Sequence, residues 1–287
     1  MIFRTDLAVE TAKNADTLSK TDFEKSVTVA GAVTVTTLHL HSDAAADAIG
    51  KPRGTYVTLE FPTLSDDEKE LSETAALLAK EIVSLLPKDG TVLTVGLGNR
   101  NITPDALGPR TADMVLATRH IGGEFARSVG LDGLRPSAVL IPGVLGQTGT
   151  ESCEIVRGVC SVVSPAAIIV VDALAAGDVK RLGCTVQVSD SGIAPGAGVG
   201  NHRRPLNADT FGVPVIGIGV PTVVDAATIA AAYGTAVSTP QEIENLVVTP
   251  KEIDLVINRA ARLIAAGINA ALQPTFSPLE LISLALA

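Results

Sequence analysis

Ala167-Ile168-Ile169-Val170-Val171-Asp172-Ala173-Leu174 runs five apolar residues together and ends them on an aspartate. A strand with one wet face alternates polar and apolar residues. A strand apolar throughout is covered on both faces, the condition of a parallel sheet sandwiched by helices. Thr91 to Gly96, Ala138 to Ile141 and Pro214 to Val220 share that character, and Thr185 to Val188 is a shorter candidate. Between these runs the spacing predicts helices over Asp105 to His120 and Glu151 to Val163. The chain therefore reads as α/β, with a mostly parallel central sheet flanked by helices.

Moving outward, the N-terminal side is different. Residues 1–25 are polar and charged, an arm or irregular start. Ser26 to Leu40 alternates, broken at Gly31, as two strands or one bulged strand. Thr55 to Phe61 alternates again until Pro62 stops it. Residues 26–62 form a small β addition. Ser65 and Glu68 make a capping box ahead of a helix whose apolar face is Leu71, Ala75, Leu78, Ile82 and Leu85. At the other end Thr249 reads as a cap, Pro250 as the first helical residue and Glu252 as the box partner. Ile253, Val256, Ile257, Ala260 and Ile264 line that last helix. No repeat or low-complexity linker divides the chain, so residues 1–287 are expected to form one domain.

Composition narrows the function. Hydrophobic residues are 46% of the chain and aromatics only 3%, with no Trp, so the core must be aliphatic. The net charge is −9, and the densest basic stretch is His202-Arg203-Arg204. That is no phosphate-binding face, and direct nucleic-acid binding is not expected. The cysteines, Cys153, Cys160 and Cys184, are odd in number and lack a Cys-x-x-Cys pair, which suits buried thiols in a reducing compartment. No signal-peptide core and no membrane-length apolar window of ~18 residues is seen. A cytoplasmic protein is expected.

In open α/β sheets ligands bind beyond the carboxyl ends of strands. Three unusual loops belong there. Gly96-Leu97-Gly98-Asn99 leads to Asp105, where a helix should begin. Asp172 directly follows its strand. Asp190 to Asn201 is rich in small residues, including Gly196, Gly198 and Gly200. Neither dinucleotide nor phosphate-loop spacing occurs, and no Gly-x-Ser-x-Gly elbow exists. A single aspartate in such a place is usually a cap. Two brought together are a hydrolytic pair, since like charges a few Å apart cannot both ionise. One member then activates water while its protonated partner polarises a carbonyl. His39 and His41 lack an acidic or Cys partner at ligand spacing.

At these loops the sequence resembles a known family. The strings are Arg4-Thr5-Asp6-Leu7-Ala8-Val9-Glu10, Gly96-Leu97-Gly98-Asn99, Thr103-Pro104-Asp105-Ala106-Leu107-Gly108-Pro109, Thr118-Arg119-His120, Pro142-Gly143-Val144, Asp172-Ala173-Leu174-Ala175, Gly196 to Asn201, Gly219 to Ala226 and Val248-Thr249-Pro250-Lys251. In order along nearly the whole chain, they resemble the germination protease of spore-forming bacteria. The resemblance implies an atypical aspartic endopeptidase, made as a zymogen, that degrades small acid-soluble spore proteins in the spore core during germination. It implies a hydrogenase-maturation-peptidase-like fold, a homotetramer and no cofactor or metal. The two essential aspartates fall here on Asp105 and Asp172, with Gly98, Asn99, Gly196, Gly198, Gly200 and Asn201 supporting the loops. The Gly196 to Gly200 amides are candidate oxyanion donors. Arg100 departs from the large aromatic common in the family.

Family substrates are cut after an acidic and before a large apolar residue, followed by Ala and, two further on, Glu. Asp6-Leu7-Ala8-Val9-Glu10 fits, which makes Asp6-Leu7 the expected self-cleavage bond. Two alternatives stay open. A metal-dependent maturation-type peptidase would hold an ion on the same carboxylates, with His120 as third ligand. A non-catalytic α/β module would use the glycine loops only to grip a ligand.

Overall fold

The computed structural model describes residues 5–12, 18–128, 133–196, 204–233, 243 and 246–286. Among them the chain begins with helix α1 (Ala8–Thr11), the hairpin β1 (Phe23–Ala30) and β2 (Val33–Leu40), helix α2 (Asp43–Ile49) and β3 (Gly54–Glu60). Helix α3 (Glu68–Leu85) leads to β4 (Val92–Gly96), a 3-10 turn (Thr103–Asp105), α4 (Leu107–Asp113), α5 (Gly123–Ser128) and β5 (Ser137–Leu140). Then come α6 (Leu145–Thr148), α7 (Ser152–Val163), β6 (Ala167–Ala176), a 3-10 turn (Val179–Arg181) and β7 (Thr185–Ser189). The chain closes through α8 (Ala208–Phe211), β8 (Val215–Asp225), α9 (Ala226–Tyr233), β9 (Val247–Val248), α10 (Ile253–Leu272) and α11 (Pro278–Ala285).

These strands form one nine-stranded sheet of order β1-β2-β3-β7-β8-β6-β4-β5, with β9 on β8. The pairs β4/β5, β4/β6 and β6/β8 are parallel. From β7 outward to β1 the pairing is antiparallel, so residues 23–60 extend the central sheet. From β4 the chain passes to β5 on one side and then to β6 on the other. The crevice between the carboxyl ends of β4 and β6 is therefore a topological switch point, where open α/β sheets place their sites.

Both faces of the parallel half are covered, as the continuous apolar runs require. Residues of α3 and α10, among them Leu71, Leu78, Ile82, Ile264 and Ile268, pack with Ile169, Val171, Ile216 and Ile218 of the sheet. Alternate strand residues Ile168 and Val170 join Leu93, Val95 and the α7 residues Cys153 and Val156 on the opposite face. Burying one aliphatic side chain of this size contributes about 1.5–3 kcal/mol. Among the described helices α10 is long and apolar enough to cross a membrane, yet two thirds of it is buried in the protein.

Several local expectations need correction. The α3 cap is Asp67, whose Oδ1 accepts from the Lys69 and Glu70 amides, while Ser65 Oγ accepts from the Asp67 amide. The expected Asp105 to His120 helix is only a 3-10 turn and the short α4. Asn269 of α10 takes over the next backbone groups: its Oδ1 accepts from the Leu116 amide at 3.0 Å and its Nδ2 donates to the Met114 carbonyl at 2.9 Å. His120 thus lies in an exposed turn and closes no helix. Thr249 does not cap α10, because its hydroxyl donates to the Thr222 carbonyl at 2.9 Å. Finally, β6 continues to Ala176, so Asp172 sits within the strand rather than after it. Glu151 and Glu154 form an unforeseen capping box at α7.

Candidate active site

The loop after β4 turns back on itself. Gly98 takes φ +113°, and a Cβ there would stand 2.0 Å from the Asp105 carbonyl oxygen. Only glycine permits both the angle and the approach. The 3-10 turn is thereby held against the strand end, with its Asp105 carboxylate fixed: Oδ2 accepts from the Asn99 amide at 2.7 Å. Asn99 Oδ1 in turn accepts from the Asn101 amide at 3.0 Å and from Gln147 Nε2 at 2.8 Å. Asn99 thus ties the loop after β4 to α6, which follows β5.

Asp172 lies next door. The Leu97 amide donates to the Val171 carbonyl at 2.8 Å, joining the two strand ends. Asp172 is paired with Gly219 of β8 and is 6% exposed, and its Oδ1 accepts from the Ala173 amide at 2.9 Å. Asp105 and Asp172 line a single cleft of about 470 Å³. Its walls are largely apolar, including Leu97, Ile102, Val144, Val223 and Val247. Gly196 lines it from the third loop, while Gly198, Gly200 and Asn201 lie outside the described residues. His120 does not line it. Among the described residues no group of three His, Cys, Asp or Glu is placed to hold a metal ion. Arg100 turns away to Asp113, a bidentate ion pair that raises the guanidinium pKa.

Asp6 also lines the cleft. Its amide donates to the Ala175 carbonyl at 2.9 Å, and its Oδ2 accepts from the Ala175 amide at 2.8 Å. Leu7 is fully buried against Leu174, Ala176 and Val224. The sequence reading missed Gln187, which holds this segment: its Nε2 donates to the Asp6 carbonyl at 3.1 Å and its Oε1 accepts from the Ala8 amide at 2.8 Å. One polar letter between Val186 and Val188, in a strand buried on both faces, was the only signal.

Chemically, the arrangement offers two carboxylates lining one largely apolar cleft. One can take a proton from water and the other can donate to an oxygen. Asp6 lines the cleft, followed by the extended Leu7.

Comparison with known proteins adds to this geometry. Residues 3–237 match the family model of the germination protease. The chain is 41% identical to the germination protease of Caldanaerobacter subterraneus subsp. tengcongensis, over 87% of each chain. It is 37% identical to that of Clostridium acetobutylicum over 97% of each, and 38% identical to that of Priestia megaterium over 81% of each. Among solved structures, a [NiFe] hydrogenase maturation protease HycI from Thermococcus kodakarensis KOD1 aligns with a TM-score of 0.37 and 20% identity, covering 64% of this chain and 96% of that one.

Proposed function

The chain belongs to the germination protease family, and from that premise we propose that it is an endopeptidase of aspartic type with Asp105 and Asp172 as its catalytic pair. The observation that carries this reading is that both side chains line one apolar cleft at the topological switch point of the sheet. In the proposed reaction one aspartate is ionised and removes a proton from a water as that water attacks the scissile carbonyl. The protonated partner donates to the carbonyl oxygen, giving a tetrahedral diol. Collapse of the diol breaks the C–N bond, with one carboxyl proton passing to the leaving amine. The apolar walls keep bulk water off the pair, which strengthens every hydrogen bond made there.

The substrates proposed are small acid-soluble spore proteins, cut after an acidic and before a large apolar residue, in the spore core during germination. The active assembly proposed is a homotetramer. Asp6-Leu7 is the proposed self-cleavage bond, supported by the place of Asp6 in the cleft.

Incubation of the purified chain with such a spore protein, followed by mass spectrometry of the products, tests the reading. Asp105→Asn and Asp172→Asn should each lower kcat/KM by about 10²–10⁴-fold, the usual worth of a general acid or base, with unchanged circular dichroism. Undiminished cleavage by both folded variants refutes the pair.

A further inference from the structure

Residues 5–10 lie in a groove that begins at the cleft and follows the end of β6. Three kinds of contact hold them. The first is polar: the Asp6 amide donates to the Ala175 carbonyl while Asp6 Oδ2 accepts from the Ala175 amide, and the Gln187 amide spans the Asp6 carbonyl and the Ala8 amide. The second is an apolar pocket, in which Leu174, Ala176 and Val224 close around Leu7, with Val179, Leu182 and Ile229 at its margin. The third grips a carboxylate. Glu10 Oε2 accepts from the Gly177 amide at 2.6 Å, Oε1 accepts from the Asp178 amide at 3.0 Å, and Arg181 stands 3.5 Å from Oε1. The Glu10 side chain is only 8% exposed, so this is a built recess rather than a surface pair. Glu60 of β3 holds the same guanidinium from the other side, at 3.0 Å from its Nε.

Each device reads something different in a peptide. The Gln187 amide mimics a neighbouring strand across the extended Leu7: it donates to one carbonyl and accepts from the amide two residues on, and the chain turns helical beyond it, which brings Glu10 round to its recess. The pocket selects a large apolar side chain. The Ala8 position is fully buried, so it admits only a small one. The recess selects a carboxylate three residues beyond the apolar one, through two donating amides and a nearby cation. Lys51 adds a cation at the start of the groove. Its Nζ donates to the Thr5 carbonyl at 2.9 Å, and the fields of Asp6 and Glu10 oppose the fall in its pKa that burial causes.

We propose that this groove is the substrate's own binding track on the leaving-amine side of the cleft, with Arg181 as the specificity residue for an acidic side chain and Gln187 as the positioning residue for the backbone. The proposal rests on the peptidase reading above and adds to it the residues that choose the peptide. The N-terminal segment and a substrate occupy the track in turn. A peptide with a large apolar residue, a small one next to it and an acid three beyond the apolar one fits these devices at once.

The test uses the full chain and peptides built on Thr-Asp-Leu-Ala-Val with Glu, Gln or Lys at the next position. Cleavage gives kcat/KM, and fluorescence anisotropy of the labelled peptides gives Kd. The unmodified protein should prefer Glu over Lys by about tenfold or more in both measures, the least expected for a desolvated charge pair. Arg181→Glu should reverse that order and Arg181→Gln should flatten it. Should Arg181→Glu fail to fold, Arg181→Gln and the unmodified protein still decide. An ester in place of the amide that aligns with Ala8 should weaken binding to the unmodified protein and leave Gln187→Ala unaffected. Equal affinity for the Glu and Lys peptides in the unmodified protein overturns the proposal, as does an unchanged preference in folded Arg181 variants. Absence of any cleavage refutes the peptidase reading instead, while the anisotropy series still judges the groove.

Discussion

Gly98→Ala should separate the catalytic geometry from the stability of the fold. Two costs arise at this position. An alanine at φ +113° is strained, which costs about 1–3 kcal/mol. The new Cβ would also lie 2.0 Å from the Asp105 carbonyl oxygen, where ordinary contacts begin at 3.4 Å. That oxygen is backbone, so relief requires the 3-10 turn to move away by about 1 Å or more, and a misplacement of that size costs about 10²-fold in rate. The Asp105 carboxylate moves with its backbone and leaves the Asn99 amide that fixes it. Gly212→Ala is the matched control. Gly212 has φ +71° but nothing within 4 Å of its would-be Cβ, and it ends α8 away from the cleft lining. Gly212→Ala should lose about 1–3 kcal/mol in urea unfolding from the backbone angle alone, and Gly98→Ala at least as much. Only Gly98→Ala should lose kcat/KM on a spore-protein substrate, by about 10²-fold. Gly98→Ala with unmodified kcat/KM would show that Asp105 is not held in place by this turn, or does no chemistry.

Asn269→Leu should destabilise by about 2–5 kcal/mol, because the Leu116 amide and Met114 carbonyl would each lose a buried partner. Equilibrium denaturation measures this, and a loss under 1 kcal/mol would mean that the segment after α4 finds other partners. Leu7→Ala removes a fully buried side chain from the groove. If the segment is a displaceable occupant, amide exchange at residues 5–10 should accelerate about tenfold or more while the global unfolding midpoint barely moves; a 2–5 kcal/mol global loss, the cost of a core Leu→Ala change, would make it part of the core instead. Tyr56 supplies a pH dependence. Burial pushes its phenol from 10.0 up to about 12, and the hydroxyl donates to the Pro52 carbonyl at 2.7 Å. The folded state therefore holds this proton more tightly than the unfolded chain. The contribution is complete below pH 10 and is lost as pH rises through 12, up to about 2–3 kcal/mol in all. Unfolding curves of the unmodified protein and Tyr56→Phe should converge across that window, and parallel curves would refute the assignment.

How much of this could be read without coordinates follows from the range of each interaction. The parallel half of the sheet was legible because its strands are buried on both faces, and continuous runs such as Ile168 to Val171 record that directly. The α3 cap was placed two residues early, since Ser65, Asp66 and Asp67 all carry capping oxygens and local pattern cannot choose among them. The helix expected after Asp105 failed for a longer-range reason. Asn269, on the last long helix, satisfies the backbone groups at Met114 and Leu116 that helical bonds would otherwise have claimed.

The site divides along the same line. Asp172 stands out in the sequence because it follows five apolar residues, and Asp105 because it sits where a helix should begin; each alone reads as an ordinary cap, and the family resemblance is what pairs them. Their joint placement in one cleft follows from strand order, in which β6 lies beside β4 while β5 lies on its other side. Gln187 and Arg181 had no such signature. Gln187 occupies one position in a strand whose neighbours are Val186 and Val188, and its amide has meaning only once residues 6–8 lie across it. Arg181 is one of 22 basic residues, and what distinguishes it is a carboxylate from the far end of the chain docked beside it and held by two amides of the β6 exit. Chemistry that a strand end concentrates can be read locally. Chemistry that selects a partner is made by segments distant in the chain, and here the Asp6 to Glu10 segment lies against the residues that recognise it.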